Sequence, residues 1–395
     1  MTASSERFDL IVVGLGAMGA AVAHHATALG LRVLGIDRHD PPHHLGSTTA
    51  ETRITRLAVG EGRQYLPFVA RSHEIWRDLE DRTGTSLLHQ CGGYIITEQT
   101  PVAGQRWHDF VTETDRIAKT GGIDFEVFEQ TADTGNRPGL DRLRGLAGKR
   151  IGFERSAGLV MAERAVAIQL QLAEAAGAVL RRTEPVTAVT PNDREVSVTT
   201  DAGTYRADQV VVAAGPWLGD LTDEPDRSRL TVTRQVVYWF EVDDPAAFGT
   251  DRFPFVMWVG DTDADYLGVF PIPPGGTPAL KVLGEQFAAT THPEDVERTV
   301  SDAEIRDFYD RHVGPKLAGA GRTCRTASVC LYTNTPDDHF LIDTAPTSDR
   351  VLLMSPCSGH GFKHSAALGE AVAQRLATGD STLDLTPFER ARFGT

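Results

Sequence analysis

Apolar positions cluster at both ends of the chain in a way that alternates between short strands and helices. Phe8 to Val13 is a nearly unbroken apolar run that stops at a glycine turn, and it predicts a buried parallel strand. Ala20 to Leu29 is Ala-rich and favours a helix, Gly30 breaks it, and Leu31 to Ile36 predicts a second strand ending at Asp37. Amphipathic spacing predicts a helix over Leu66 to Arg82, with Val69, His73, Trp76 and Leu79 along its stripe, and another over Val160 to Ala176. Short strands follow at Ala178 to Leu180, Val186 to Val189, Val196 to Thr200 and Thr204 to Arg206. Val210 to Ala214 then predicts another buried strand, stopped by Gly215-Pro216.

From Leu230 to Phe287 the pattern changes to alternating, aromatic-rich strands: Val236 to Val242, Phe255 to Val259, Tyr266 to Phe270 and Ala279 to Leu283. Alternation of this kind predicts an antiparallel sheet. Ser301 to Val313 reads as helix, Val351 to Leu353 as strand, and His364 to Ala377 as the last helix. The expected fold is α/β, α+β overall: a Rossmann-like nucleotide-binding domain from residues 1–85, 148–218 and 326–395, interleaved with a mostly antiparallel substrate domain from 86–147 and 219–325. No internal repeat is visible.

Length and composition agree with that picture. The chain has 395 residues, 41% hydrophobic and 24% charged, and at ~150 residues per domain two or three domains are expected. Its net charge of −15, without a dense Lys/Arg run, argues against nucleic-acid or anionic-membrane partners. No stretch of eighteen apolar residues predicts a membrane span. Met1 to Arg7 has no basic segment followed by an apolar one, so a cytoplasmic location is expected. Cys91, Cys324, Cys330 and Cys357 form no Cys-x-x-Cys pair, so neither a disulfide framework nor a metal site is expected.

The first candidate chemistry lies in Gly14-Leu15-Gly16-Ala17-Met18-Gly19, a G-x-G-x-x-G motif between strand and helix, with Asp37 at the tip of the next strand. Glycines there permit a tight turn and close backbone approach to a pyrophosphate, and the acidic residue accepts from a ribose hydroxyl. A dinucleotide cofactor follows, although NAD and FAD proteins share this fingerprint.

Six ordered segments then resemble the monomeric sarcosine oxidase and N-methyltryptophan oxidase family, FAD-dependent amine oxidases of the D-amino-acid oxidase superfamily. They are Phe8 to Asp37; Asp40 to His43 with Gly46-Ser47; Thr52-Arg53-Ile54-Thr55-Arg56; Gly60-Glu61-Gly62-Arg63; Cys330 to Thr333 with Thr335 to Phe340; and Ser358-Gly359-His360-Gly361-Phe362-Lys363. The resemblance implies FAD, attached covalently through Cys330, with Gly14, Gly16, Gly19, Asp37, Arg38, Ser47, Thr48, Gly215, Gly359, Gly361, Phe362 and Lys363 around it. It further implies that Arg56 and Lys363 fix a substrate carboxylate, that Arg53 lies near the flavin ring, and that Lys281 assists dioxygen. Physical reasons support each role: paired cations suit a carboxylate, a thiolate is a strong nucleophile, and an ammonium stabilises superoxide. If the Thr52 to Arg56 segment is helical, Arg53 and Arg56 lie on adjacent faces. Tyr332 is expected on the same strand face as Cys330, lining the cavity with Tyr266. Cys91, Cys324 and Cys357 are expected to be structural, and His360 a loop residue rather than a base.

Two departures from the family pattern stand out. Glu285, expected among the substrate-binding residues, occupies an active-site position where the family usually has a histidine; an anion there changes the charge preferred in the substrate and argues against sarcosine itself, and Pro356-Cys357 replaces a glycine and an aromatic residue. The expected activity is oxidation of a secondary amino acid, N-methylated or cyclic, to an imine, with dioxygen giving hydrogen peroxide in a monomeric enzyme. The alternatives are a flavin dehydrogenase or desaturase acting on a cyclic imino acid with another acceptor, and a non-catalytic flavin-binding subunit.

Overall fold

The structure is a computed structural model describing residues 7–98, 110–129, 137–260 and 265–394. Two eight-stranded sheets and a small three-stranded one organise these residues. The first sheet has a parallel centre: Arg7–Val13 lies between Gly203–Val212 and Val33–Ile36, and Val179–Arg181 extends it past Val33–Ile36. Gly203–Val212 is one long strand where two were expected. Its first half pairs with Val196–Thr200 and its second with Ser348–Ser355, so the C-terminal segment returns to the N-terminal unit.

Helices Ala17–Ala28, Ala162–Ala175 and Ser365–Thr378 pack together over this sheet around a common core that includes Leu10, Val22, Val166 and Val372. The Ala-rich composition explains how closely they approach: a Cβ added at Gly369 would lie 2.3 Å from Ala21 Cβ. Small residues let two helix backbones meet where larger ones would hold them apart. The expected helix at Val160 begins two residues later, because Gly158–Met161 pairs as a strand with Thr52–Thr55 and Leu88–Gln90.

The second sheet runs in the order Ala320–Asn334, Thr231–Val242, Leu280–Leu283, Leu267–Phe270, Phe255–Trp258, Gly93–Glu98, Lys149–Glu154 and Phe125–Glu129. All its neighbours are antiparallel except Phe255–Trp258 with Gly93–Glu98. Lys149–Glu154 belongs to this sheet although the expected boundary at 148 would place it in the other unit, and Ala320–Asn334 runs across the boundary expected at 326. Thr52–Thr55 is a strand, which corrects the helical alternative for the Arg53 segment: Thr52 to Thr55 take partners from Gly158–Met161 and leave no helical turn.

The glycine turn joins the two levels of structure. Gly14 has φ +89°, and a Cβ at Gly19 would sit 1.7 Å from Gly14 O and 3.1 Å from Val12 Cγ1. The Gly14 backbone cannot retreat and the buried Val12 side chain closes the other side, so Gly19 serves the turn's own packing. Gly19→Ala is expected to destabilise the fold by about 1–3 kcal/mol through overpacking, read as a lower urea midpoint at unchanged m-value.

Candidate active site

One cavity of about 410 Å³ opens at the carboxyl ends of the parallel strands, against the second sheet. Open α/β sheets bind ligands at that end. Gly14, Gly16, Asp37, Arg38, Ser47, Thr48, Gly215, Gly359, Gly361 and Phe362 line it, as do Arg53, Arg56, Tyr266, Lys281, Glu285, Cys330, Tyr332 and Lys363. Of the residues expected around cofactor or substrate, Gly19 alone does not line the cavity; it packs behind the turn.

At the nucleotide end, Asp37 is buried and accepts from Leu15 N at 2.7 Å and His39 N at 2.8 Å. Burial raises its pKa against those two hydrogen bonds. Gly16 behaves differently from its neighbours: a Cβ there would have no atom closer than Thr48 Oγ1 at 3.8 Å, so the missing side chain leaves room facing the cavity. Ser47 Oγ is buried with no hydrogen-bond partner among the described residues. An open cradle at the helix start, a carboxylate beside it and an orphaned hydroxyl fit a dinucleotide. Arg38 stands over the Trp217 ring at 4.7 Å and pairs with Glu294 at 2.7 Å.

At the other end the cations are tied down individually. Arg53 donates to the carbonyls of Ser47 at 2.6 Å, Thr49 at 2.5 Å and Thr52 at 2.8 Å. Lys281 Nζ donates to Ala50 O and Thr52 O, both at 2.6 Å, and to Thr52 Oγ1 at 3.1 Å. Burial, followed by the charge of Arg53, holds the Lys281 pKa well below its ordinary value. Arg53 and Lys281 reach these carbonyls because Ala50 and Glu51 turn the backbone through the left-handed region at φ 67° and 68°. Cys330 pairs with Gln235 on one side of Thr231–Val242, and Lys281 pairs with Trp239 on the other. Burial pushes the Cys330 thiol up while Arg53 and Lys281 act the other way.

Glu61, left without a role in the sequence reading, bridges the two expected carboxylate-binding cations. Arg56 Nη2 lies 2.7 Å from Glu61 Oε2, and Lys363 Nζ lies 2.9 Å from Glu61 Oε1. Burial works to raise the Glu61 pKa, but Arg56 and Lys363 outweigh it and hold the carboxyl well below its usual range. The trio carries one net positive charge, and Arg56 Nε is buried without a partner among the described residues. Two residues expected to be passive also line the cavity. Cys357 Sγ accepts from Thr333 N at 3.4 Å, and His360 Nδ1 lies 3.9 Å from Glu61. Glu61 and His360 both lay inside quoted motifs, so position was available as a signal; chemistry alone did not single them out.

Residues 9–375 match the model of the FAD dependent oxidoreductase family. The chain belongs to this family. A monomeric sarcosine oxidase from Bacillus sp. (strain NS-129) is 32% identical over 397 residues, covering 98% of this chain and 97% of its own. An N-methyl-L-tryptophan oxidase from Escherichia coli O157:H7 is 32% identical over 394 residues, covering 98% and 100%. Both bear out the resemblance carried by the six sequence segments. Among solved structures, the open form of NikD, an amino acid oxidase essential for nikkomycin biosynthesis, superposes with a TM-score of 0.81 at 23% identity over 98% of both chains. L-proline dehydrogenase from P. horikoshii gives 0.77 at 18%, also over 98% of both. At these identities the two structures establish the shared fold.

Burial pulls the Lys363 pKa down to about 8, against the opposing pull of Glu61. Carboxylate affinity of the flavoenzyme should therefore fall as pH rises through about 8, where the ammonium loses its proton. Lys363→Met should weaken binding of an unreactive carboxylate by roughly 10–100-fold, the loss of one charge-assisted hydrogen bond, and should flatten that pH dependence. Titration of the flavin absorbance checks both.

Proposed function

We propose that the protein oxidises a secondary α-amino acid, N-methylated or cyclic, to its imine, with FAD as cofactor and dioxygen as terminal acceptor, releasing hydrogen peroxide. The observation that carries this reading is that Arg56 and Lys363 converge, through Glu61, in the same cavity as the dinucleotide cradle. The names of the sarcosine and N-methyltryptophan oxidases support the substrate class.

FAD, when bound, supplies the two-electron acceptor for oxidising the carbon–nitrogen bond. Gly14, Gly16, Asp37, Arg38, Ser47, Thr48, Gly215, Gly359, Gly361 and Phe362 hold it. Arg56 and Lys363 bind the substrate carboxylate: one anion neutralises the net positive charge of the trio, and Arg56 Nε offers a donor not engaged by Glu61. Glu61 orients both cations before the substrate arrives, which lowers the ordering cost of binding. Tyr266, buried, and Tyr332, half-buried, form the cavity walls on this side. Cys330 is the covalent anchor; burial keeps its thiol protonated in the unloaded protein, and the charges of Arg53 and Lys281 favour the thiolate needed for attachment. Burial and Arg53 favour the neutral amine of Lys281, but its two carbonyl partners and the Thr52 hydroxyl favour the ammonium, and the positive charge they hold serves dioxygen reduction. The three donors of Lys281 already serve Ala50 and Thr52, so it acts through its field from a fixed place. The enzyme works as a cytoplasmic monomer; among the described residues no helix is long and apolar enough to cross a membrane.

Mixing the oxidised flavoenzyme with a panel of N-methyl and cyclic amino acids should bleach the flavin without air and release peroxide with air. Bleaching without peroxide in air would favour the dehydrogenase alternative. The intact chain should carry the mass of one flavin after acid precipitation, and Cys330→Ala should release all yellow chromophore. Lys281→Met should leave anaerobic bleaching within about fivefold while slowing reoxidation by dioxygen roughly 100-fold, in the range of one lost electrostatic group; equal losses in both steps would remove its assigned role.

A further inference from the structure

We infer that Glu285, with Tyr332 and Tyr266, forms an ammonium subsite: the substrate enters as a zwitterion, and Glu285 accepts the proton its nitrogen must lose before oxidation. The inference deepens, and rests on, the amino-acid oxidase reading above. Glu285 follows the strand Leu280–Leu283, which carries Lys281, and is 9% exposed within the cavity. Its Oε1 accepts from Tyr332 Oη at 3.4 Å. Loop Gly359 comes close on another side: a Cβ there would lie 3.5 Å from Glu285 Oε1 and 2.9 Å from Tyr332 Cε2. The cavity thus offers two cations for a carboxylate, and a carboxylate between aromatic walls for a cation. Carboxylates and aromatic faces both attract ammonium groups.

Chemistry requires a proton acceptor at such a place. An alkylammonium resembles Lys, with a pKa near ~10.4, so nearly all the substrate is protonated at neutral pH, and its nitrogen lone pair is unavailable until a proton leaves. In the proposed step an N–H bond of the ammonium breaks, an O–H bond forms on Glu285, and the electron pair stays on nitrogen; nothing is oxidised or reduced.

The bonds of its neighbours leave Glu285 as the base. His360, next to Gly359 on the facing turn, is tied through Nε2 to Asp338 O at 3.0 Å, with Nδ1 3.9 Å from Glu61. Tyr332 comes from the strand Ala320–Asn334 and Tyr266 immediately precedes Leu267–Phe270; burial, then the Glu285 charge, holds both phenols well above their ordinary pKa, so both stay protonated. Lys363, from the turn before the last helix, feels the Glu285 charge and is a cation paired to Glu61. Glu61 is in turn held ionised by Arg56 and Lys363.

Two measurements on the flavoenzyme test the subsite. Trimethylglycine and tert-butylacetate have the same shape and differ by one positive charge, and neither can be oxidised by loss of an N–H proton. From the flavin absorbance, the wild-type protein should prefer trimethylglycine by about tenfold or more, the scale of one ion pair in a desolvated site, and Glu285→Gln should bring the ratio near one. Equal binding by the wild type, or an unchanged ratio in the variant, overturns the subsite. With a reactive N-methyl amino acid and no air, Glu285→Gln should bleach roughly 100-fold more slowly at pH 7, the scale of one general base. It should recover to within about fivefold near pH 10, where roughly a quarter of the amine is already neutral, while Glu285→Asp retains the wild-type profile. A loss that is uniform across pH would overturn the proton-accepting role. Failure of every amine to bleach the wild type would count against the oxidase reading, while the trimethylglycine ratio would still decide the subsite.

Discussion

Four cations face one buried cavity, and keeping them there constrains the chain around it. Arg53, Arg56, Lys281 and Lys363 would each cost several kcal/mol if buried bare. The protein meets that cost in two ways. Glu61 bridges Arg56 and Lys363, whereas Arg53 and Lys281 are satisfied by main-chain carbonyls of the segment from Ser47 to Thr52. Those carbonyls converge only because Ala50 and Glu51 adopt left-handed backbone conformations, at φ 67° and 68°. Such residues cost of order 1–3 kcal/mol each and persist where surrounding contacts over-determine them. Here the two cations supply those contacts, so the turn and the charges hold each other in place.

That arrangement links the two large sheets. The turn leaves the nucleotide-binding half, Lys281 and Cys330 come from the antiparallel half, and Arg53 lies in the small sheet between. The cavity therefore has a hydrogen-bonding, glycine-lined end and a charged, aromatic end. A cofactor that spans both would bring its reactive portion to the cations and tyrosines, and its phosphates to the helix that starts at Ala17. Charge at the aromatic end is set locally: whatever the chain's −15, Arg56, Glu61 and Lys363 leave one net positive charge among themselves.

Much of this was legible in the sequence where the physics is local. The N-terminal βαβ unit could be read because a glycine turn between an apolar run and an Ala-rich stretch has few other solutions. Cys330 and Tyr332 could be placed on one strand face by their spacing of two. Other elements hid for identifiable reasons. Ala320–Asn334 is the edge strand of its sheet and half exposed, so its first half carries little hydrophobic signal. Lys149–Glu154 is short, and its assignment to the second sheet depends on Gly93–Glu98, far away in the chain. The Arg53 segment fits a helix or a strand by spacing, and only pairing with Gly158–Met161 decides between them.

The sequence by itself determined the dinucleotide fingerprint, the α/β class and, through six ordered motifs, the family, because each depends on residues adjacent in the chain. Tertiary structure decided the charge arrangement of the reacting end. Glu61 acquires meaning only when Lys363, some three hundred residues away, is brought to its second oxygen. Glu285 was expected at the substrate, but its partner Tyr332 and the turn at Gly359 beside it come only from the fold. The electrostatics of a buried carboxylate depends on which charges surround it in space, and the linear order of residues does not specify that.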